Sequence, residues 1–476
     1  RLMAILHDWH GELDPTEANS NDASLPTPQL FGRSVLRILL GAGIHLQHEL
    51  MSPEGTSWEY LPHDPELEFV RSPWVIHART IRTMHLRPRY EMHRVSGFLE
   101  YVVEGTQPTD NPLRVTLTAR GPGGREQRFS LDPLPEQRGN REPTLVLNTH
   151  VLSDGPFRIT VDVTSPSSSV VLEHDLEVVN GNGSSARYLK GRLSSLPAPF
   201  FAGPVSSGYF RSLTAADSEP DFVANPHGVE PPGPLTGEQI DDFQRDGFVA
   251  VRGLVPEQLC ADASDYLREV DETGTHGFQR GSSQRLEHLH QMNESLGRIF
   301  GLASIRSAVR QLLGDEVAPA QSLTFIYGST QSMHQDTIHL SNFPASQMCG
   351  VWIALEDVRP EAGELRYLPG SHRWPRVFLA DLGIDPVDPS APKWEQFGAH
   401  YKPTMHRLQS EHDAPEAVPF LAQRGDIGIW HENLMHAGSP RSDPTLSRHS
   451  MVIHYFTHGC LAWYDSSGVA ALKHLP

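Results

Sequence analysis

Short segments between residues 68 and 180 alternate apolar and polar side chains. Over residues 113–118, leucine and valine occupy the odd-numbered positions, and arginine and threonine occupy the even-numbered ones. A two-residue period is typical of a β-strand with one buried face, because successive side chains point to opposite faces of the sheet. About seven such segments recur between turn sequences, which predicts an immunoglobulin-like β-sandwich over residues 61–195. The segments are LEFVRSPWVIHARTI, VSGFLEYVVEG, LRVTLTARG, REQRFSLDP, TLVLNTHVL, FRITVDV and VVLEHDLEVVN.

The regions on either side of the predicted sandwich have different patterns. Residues 14–28 are rich in turn formers, and the apolar spacing of residues 31–50 predicts a helix. We therefore expect residues 1–60 to be a partly helical N-terminal segment. Residues 196–235 are rich in proline, glycine and serine, a composition that is typical of a linker between domains.

The C-terminal half begins with helical patterns and continues mainly as strands. Thr236 is a predicted N-cap with Gln239 at the capping-box position, and Gly247 suits the C-terminal end of this helix. Further helices are predicted over residues 256–270 and 293–313. The strand-like segments that follow are SLTFIYGS, QMCGVWIALEDV, ELRYLPG, GDIGIWH and RHSMVIHYF. Helices followed by this many strands favour a closed double-sheet barrel, so the predicted fold class is mainly β.

Composition and charge limit the partners that the chain can have. The formal net charge of −19 disfavours binding to nucleic acid or to an anionic membrane, because both require clustered cations. The three cysteines, Cys260, Cys349 and Cys460, lie far apart and match neither a disulfide framework nor a zinc cluster. A reducing, cytoplasmic location is therefore expected. No apolar run approaches the ~20 residues that a membrane span needs.

The most specific chemical pattern is the segment SMHQD. In an extended segment His334 and Asp336 point to the same side, so that one imidazole and one carboxylate can bind the same ion. The segment GDIGIWHENLMHAGS offers His436 or His431 as a third ligand. Two histidines and one carboxylate leave three positions of an octahedron open, which suits non-haem Fe(II) better than zinc. A surface His–Asp pair is the alternative interpretation of SMHQD when it is considered alone.

Further along the chain the sequence resembles a known family. Residues 236–465 resemble the phytanoyl-CoA dioxygenase (PhyH) family of Fe(II)- and 2-oxoglutarate-dependent oxygenases. The matching stretches are LTGEQIDDFQRDGFVAVRGLV, MHQD, GVWIALEDVRPEAGELRYLPGSHR and GDIGIWHENLMHAGSPRSDPTLSRHSMVIHY. The resemblance implies a double-stranded β-helix of the jelly-roll or cupin type with flanking helices, which we assign to residues 236–476.

The resemblance also implies roles for individual residues. His334, Asp336 and His436 match the iron ligands of the family, and these three are the predicted catalytic and metal-binding residues. The predicted co-substrate residues are Arg448, which matches the partner of the distal carboxylate of 2-oxoglutarate, together with Ser439, Trp352 and Thr324. His288 departs from the family, which often has lysine there, and this weakens a co-substrate role for it.

The implied activity is oxidation of a C–H bond that consumes O2 and 2-oxoglutarate and releases succinate and CO2. Related halogenases lack the carboxylate ligand, so the presence of Asp336 favours hydroxylation. The expected substrate is a small molecule, a natural product, or a glycan-type or carrier-linked compound. Two alternatives remain: the same chemistry with desaturation, epimerisation or cyclisation as its outcome, or a non-catalytic glycan- or partner-binding protein.

Two further groups of residues have both a structural and a functional interpretation. The histidines 339, 454 and 458 fit barrel-wall or surface positions better than a second metal site. The tryptophans 374, 394 and 463 are expected on rim loops, where packing is a commoner role than stacking on a substrate ring.

Overall fold

The computed structural model describes most of the chain from residue 84 onward. The described ranges are 46–51, 57–60 and 75–80 as backbone strands, and 84–104, 112–132, 134, 143–166, 168–194, 198–206, 233–329, 331–384 and 393–475. The chain forms two compact units. One unit comprises residues 1–85 with 105–108, and the other comprises residues 86–104 with 109–476.

The first unit contains a three-stranded antiparallel sheet. Its strands are β1 (Leu46–Met51), β2 (Ser57–Tyr60) and β3 (Val75–Thr80), with β1 in the centre. The helix predicted over residues 31–50 is wrong where it can be checked, because residues 46–50 belong to β1. Pairing of β1 with strands on both sides overrides its helical spacing. The rest of that predicted helix lies outside the described residues.

The second unit begins with two mainly antiparallel sheets. Their strands are β4 (His85–Pro88), β5 (Arg94–Val95), β6 (Phe98–Glu104), β7 (Arg114–Arg120), β8 (Glu126–Leu131), β9 (Thr144–Asn148), β10 (Gly155–Thr164), β11 (Ser169–Val178) and β12 (Phe200–Ala202). The orders are β5-β11-β10-β7-β8 and β12-β9-β6-β4. On β7, Val115 and Leu117 are buried and pair with the buried Val163 and Val161 of β10. The predicted alternation is confirmed there, and the immunoglobulin-like assignment stays a prediction.

The C-terminal part is built on a six-stranded sheet with two smaller sheets. The six-stranded sheet has the order β13-β20-β17-β22-β15-β14, and the smaller ones are β16-β23-β24 and β19-β18-β21. The strands are β13 (Phe248–Val251), β14 (Arg285–Glu287), β15 (Val317–Phe325), β16 (Ser341–Phe343), β17 (Met348–Ala354), β18 (Leu365–Tyr367), β19 (Val418–Phe420), β20 (Ile427–His431), β21 (His436–Gly438), β22 (Ser450–Thr457), β23 (Leu461–Tyr464) and β24 (Val469–Ala470).

Six α-helices accompany these sheets in the described residues. They are α1 (Ser184–Gly191), α2 (Gly237–Asp246), α3 (Glu257–Thr273), α4 (Glu294–Phe300), α5 (Ala303–Leu313) and α6 (Lys393–Glu411). The predicted capping box is confirmed, because Thr236 Oγ1 accepts from the Gln239 amide and the Gln239 side chain accepts from the Thr236 amide. The single helix predicted over residues 293–313 is instead two helices that are separated near Gly301. None of the helices in the described ranges is both long and apolar enough to cross a membrane.

The two faces of the six-stranded sheet contact different cores. Val351 and Ile353 of β17 pack with residues of helices α2 to α5 in a large apolar cluster. Trp352, which lies between them in sequence, packs on the other face in a cluster with Phe420 and Val452. We call the three C-terminal sheets the barrel, and the face of the six-stranded sheet that carries Trp352 its interior. Side-chain alternation along each strand decides which residues face this interior and which face the helices.

The first two sheets of the second unit pack directly on the barrel. His150 Nε2 lies 2.8 Å from the carbonyl oxygen of Gly459, and Glu100 accepts from the Ala470 amide at 3.0 Å. The buried ammonium of Lys473 donates to the Ser96 hydroxyl oxygen at 3.4 Å and to the carbonyl oxygen of Cys460 at 2.7 Å. Most of the predicted linker, residues 207–232, lies outside the described residues, and the predicted domain boundaries stay predictions.

These contacts predict acid sensitivity at His150. Burial, together with the nearby Lys473 ammonium, lowers the pKa of His150 to about 3, whereas the unfolded chain has an ordinary histidine pKa. Between these values the unfolded state binds more protons, so the free energy of unfolding falls as the pH falls below about 6.5. This single residue contributes ~1.4 kcal/mol per pH unit in that window.

The measurement is urea unfolding at pH 6.5 and pH 5 for the native chain and for His150→Gln, which keeps a donor but cannot be charged. The native chain should lose roughly 2 kcal/mol more than the variant over this interval. An identical pH dependence in both proteins would contradict the assignment.

Candidate metal and co-substrate site

The metal-binding pattern lies where an extended segment meets the edge strand β21. His334 and His436 form an isolated antiparallel bridge, each donating its amide to the carbonyl of the other at 3.0 Å. Asp336 follows His334 by two residues, and its amide donates to the carbonyl oxygen of Glu432. The i, i+2 spacing therefore puts both SMHQD ligands on the side that faces His436, as the sequence predicts.

The three side chains converge on one point. Asp336 Oδ1 lies 3.6 Å from His334 Nε2 and 3.7 Å from His436 Nε2. One possible ligand atom from each residue lies within 4.8 Å of the others, and all three residues are buried. Among the histidine, cysteine and acidic side chains of the described residues, these three form the group that can hold a metal ion.

Hydrogen bonds orient both imidazoles. His334 Nδ1 lies 2.8 Å from the carbonyl oxygen of Ser332, and His436 Nδ1 lies 2.9 Å from that of Leu434. A carbonyl can only accept, so each Nδ1 carries the proton and each Nε2 presents a lone pair toward Asp336. This arrangement prepares neutral histidine ligands for a cation.

The protonation states also suit a cation. Burial, helped by the nearby His334, lowers the pKa of His436 to about 4, which keeps its imidazole neutral near pH 7. The indole N–H of Trp430 donates to Asp336 Oδ2 at 2.8 Å, and a hydrogen bond to the charged form favours the ionised carboxylate. One carboxylate and two neutral imidazoles form the donor set of non-haem Fe(II) centres.

The structure separates His436 from its rival His431. His431 is the last residue of β20, and its side chain lies beside His372 with ring centroids 5.4 Å apart. Its Nδ1 accepts from the Asn433 amide at 3.1 Å. Trp430, the preceding residue, points into the barrel, so alternation directs His431 away from the triad.

We expect His436→Ala to lose divalent-metal binding and His431→Gln to retain it. Of these two histidines, only His436 directs a ring nitrogen at Asp336. Equilibrium dialysis with Mn²⁺ on the apo-proteins measures this directly, and thermal melting checks that both variants fold. Loss of metal in His431→Gln with retention in His436→Ala would reverse the assignment.

A small cavity joins the triad to Arg448. This inner cavity of about 90 Å³ is lined by the triad and by Arg448, Trp352 and other residues of the barrel interior. Arg448 lies just before β22, is fully buried, and donates from one terminal nitrogen to the carbonyl oxygen of Gly363 at 2.7 Å. Burial lowers its pKa to about 10, so the guanidinium stays charged near neutral pH.

Two buried donors in this cavity lack partners among the described residues. Arg448 Nε and the indole Nε1 of Trp352 make no hydrogen bond, and the guanidinium lies 5.5 Å from the Trp352 ring. An unpaired buried donor is costly, so both atoms fit a ligand that brings acceptor oxygens. The cavity therefore suits a carboxylate close to the metal triad.

The other two predicted co-substrate residues have different positions. The Ser439 amide donates to the carbonyl oxygen of Glu364, next to the Gly363 carbonyl that Arg448 contacts, but Ser439 is not among the residues that line the cavity. Thr324 is buried on the opposite face of β15, paired with Met451, and its hydroxyl has no partner. Thr324 does not line the inner cavity, because alternation brings Leu323 and Phe325 into it instead, and its contact with the co-substrate stays a prediction.

The other histidines and tryptophans that the sequence singled out lie in different parts of the structure. His339 and His454 line the inner cavity, whereas His458 lies at the contact with the first two sheets, where its carbonyl accepts from Lys473. Trp374 stacks on His412 with ring centroids 5.0 Å apart. Trp463 is buried in β23, so the rim-loop prediction for it is wrong. The side chain of Trp394 lies outside the described residues.

One important residue was missed by the sequence analysis. The indole Nε1 of Trp430 donates to Asp336 Oδ2 at 2.8 Å, and its ring lies 4.8 Å from that of His436. Strand alternation in the sequence could have identified this residue. Ile429 and His431 face outward, so Trp430 between them must face the barrel interior.

A larger outer cavity of about 490 Å³ lies beside the inner one. The two share six lining residues, which are Arg285, Gln321, Leu323, Gln331, His334 and His339. The outer cavity adds Glu287, Tyr401, Lys402, Tyr464, Ser466 and other polar residues. Leu323 is the one aliphatic side chain among its described lining residues. The outer cavity thus offers hydrogen bonds and charges at the entrance to the triad.

The chain was compared with known proteins, and several relatives share part of it. It is 25% identical to the ectoine dioxygenase of Bordetella bronchiseptica over 213 residues, 40% of this chain and 63% of the relative. Against the ectoine dioxygenase of Halomonas elongata the identity is 26%, covering 46% of this chain and 69% of the relative. Against phytanoyl-CoA dioxygenase 1 of Oryza sativa it is 30%, covering 31% and 42%. The chain thus spans less than two thirds of the first of these relatives.

Solved structures with local similarity to this chain include SnoK and EctD. The carbocyclase SnoK from nogalamycin biosynthesis is 18% identical, with a TM-score of 0.39, and covers 48% of this chain and 87% of its own. EctD from S. alaskensis with 2-oxoglutarate and 5-hydroxyectoine is also 18% identical, with a TM-score of 0.39, and covers 50% and 82%.

A comparison with models of protein families agrees with the resemblance found in the sequence motifs. The model of the phytanoyl-CoA dioxygenase (PhyH) family matches residues 243–450. The matched range includes the metal triad, Trp352 and Arg448. Residues 243–450 of this chain therefore match the phytanoyl-CoA dioxygenase family, which the sequence motifs also resemble.

Proposed function

We propose that this protein is an Fe(II)- and 2-oxoglutarate-dependent dioxygenase that hydroxylates an unactivated C–H bond of a polar small molecule. The observation that carries the proposal is the shared cavity of the metal triad and Arg448. A buried metal site alone has many uses, and a buried arginine alone is common. Their combination, with unpaired donors between them, fits a metal that binds a dicarboxylic co-substrate.

The triad supports the choice of metal and the number of open positions. His334 and His436 present neutral nitrogens, and Asp336 supplies the negative charge. Structural zinc prefers thiolates, and all three cysteines are buried elsewhere as free thiols. Two histidines and one carboxylate suit Fe(II) with three positions left for a bidentate oxo acid and O2.

The residues around Arg448 support 2-oxoglutarate as the co-substrate. The guanidinium is held by the Gly363 carbonyl and retains an unpaired Nε, so it can bind the distal carboxylate with charge-assisted hydrogen bonds. The indole N–H of Trp352 offers a further donor on the same wall. When bound, Fe(II) and 2-oxoglutarate together supply the oxidant from O2, with release of succinate and CO2.

The outer cavity supports a polar substrate. Arg285, Lys402 and Glu287 provide charge of both signs, and the tyrosines and serines provide hydroxyl groups. A long acyl chain would leave these groups unpaired on binding, at a cost that a hydroxylated or zwitterionic molecule avoids. We therefore place glycan-type and zwitterionic small molecules ahead of fatty acyl thioesters as substrates.

The test begins with anaerobic titration of Fe(II) and 2-oxoglutarate into the apo-protein. A panel of polar and acyl compounds is then screened with O2 for succinate formation and for product mass. The proposal predicts 2-oxoglutarate-dependent succinate and a polar product heavier by about 16 Da. Loss of two hydrogens would indicate desaturation instead. Absence of both Fe(II) binding and succinate would contradict the proposal, and Asp336→Ala is the matched negative control.

A further inference from the structure

The two oxygens of the Asp336 carboxylate have different surroundings. Oδ1 faces both histidine ligands, at 3.6 Å from His334 Nε2 and 3.7 Å from His436 Nε2. Oδ2 accepts a hydrogen bond of 2.8 Å from the indole Nε1 of Trp430. His454 Nε2 lies 3.6 Å from the same Oδ2. One oxygen is thus directed at the metal site, and the other is held by the barrel wall.

The indole of Trp430 has a fixed place. Trp430 is buried on β20, and its cross-strand neighbour on β17 is Gly350. A Cβ atom at position 350 would lie 2.2 Å from Cε2 of the indole, so only glycine leaves room for the ring there. The ring also contacts His436, with centroids 4.8 Å apart. Glycine on one strand and tryptophan on the next therefore form a matched pair that positions the N–H donor.

We propose that Trp430 is a positioning residue that keeps Asp336 a one-oxygen metal ligand. This inference rests on the proposed function. An indole N–H donates only and does not lose its proton near neutral pH, so it engages Oδ2 in a lasting hydrogen bond and leaves Oδ1 as the oxygen that faces both histidines. A carboxylate that bound through both oxygens would fill a fourth position of the octahedron. Two positions would then remain where a bidentate oxo acid and O2 need three.

The proposal has a direct test in metal binding. Trp430→Phe keeps an aromatic ring over Gly350 and removes the donor. Residues that orient a metal ligand through a hydrogen bond typically change metal affinity by 10- to 100-fold, so the Mn²⁺ affinity of this variant should differ from that of the native chain by about 10- to 100-fold. The EPR signal of free Mn²⁺ measures the affinity without turnover. The matched control is Trp463→Phe, which removes a buried indole donor to Asp465. Trp463 packs in a separate apolar cluster with Phe98.

The outcomes separate this inference from the proposed function. Native-like Mn²⁺ affinity in Trp430→Phe would overturn the role of Trp430, whereas no Mn²⁺ binding by the native chain would overturn the proposed function as well. If Trp430→Phe fails to fold, ¹⁵N-indole spectra of the native chain decide the question. One slowly exchanging indole N–H should shift on addition of Zn²⁺, and the absence of any such signal would overturn the proposal.

Discussion

Asp336→Ala should abolish Fe(II)-dependent succinate formation while leaving the fold intact. The substitution removes the only negative charge of the triad and the oxygen that both histidines face. Because residues that merely orient a ligand are worth about 10- to 100-fold in metal affinity, loss of the ligand itself should weaken Fe(II) binding by more than about 100-fold. Anaerobic Fe(II) titration and succinate assays measure the two effects.

The fold is expected to survive because removal of this carboxylate also relieves a buried negative charge in the apo-protein. The hydrogen bonds that orient His334 and His436 go to backbone carbonyls and do not involve Asp336. The matched control is Asp443→Ala, which removes a half-buried carboxylate that accepts from the Thr445 amide. Full succinate formation by Asp336→Ala, with an unchanged melting temperature, would remove Asp336 from the triad.

Arg448→Lys should raise the half-saturating concentration of 2-oxoglutarate about 10- to 150-fold without loss of iron. Lysine keeps the positive charge but loses the planar fork that binds a carboxylate through two hydrogen bonds. Loss of part of such a contact costs roughly 1.5–3 kcal/mol, which corresponds to this range. The measurement is the 2-oxoglutarate dependence of succinate formation, with Fe(II) affinity measured in parallel.

Arg441 supplies the matched control for this prediction. Its guanidinium donates to the carbonyl oxygens of Leu446 and Gly281 and lies 3.9 Å from the ring centroid of Tyr327. Arg441 is therefore occupied by the protein itself and does not line either cavity. A large rise in half-saturation for Arg441→Lys, together with no change for Arg448→Lys, would transfer the co-substrate role to Arg441.

Local sequence patterns were sufficient for much of the fold. The capping box at Thr236 and Gln239 forms as predicted because it involves backbone and side chains only three residues apart. The strands β6 to β9 fall within the predicted segments, and β10 and β11 overlap theirs. Alternation is clearest on β7 and β10, because it reports directly on a half-buried strand. The predicted helix over residues 31–50 fails within β1, where pairing with β2 and β3 on both sides overrides the helical pattern.

By itself, the sequence determined the ligand types and the resemblance to the PhyH family. The spacing of His334 and Asp336 forces a shared side in any extended segment, and the motifs around them carry the PhyH resemblance. These are local properties, and folding does not change them.

The tertiary structure alone decided which distant residues join that pair. It selected His436 over His431, placed Arg448 and Trp352 at one cavity, and excluded Thr324 from it. It also brought Trp430 to the second oxygen of Asp336. Each outcome depends on which face of a strand points into the barrel and on which strands are neighbours. The register between β17, β20 and β22 decides this, and it is set by packing over the whole sheet.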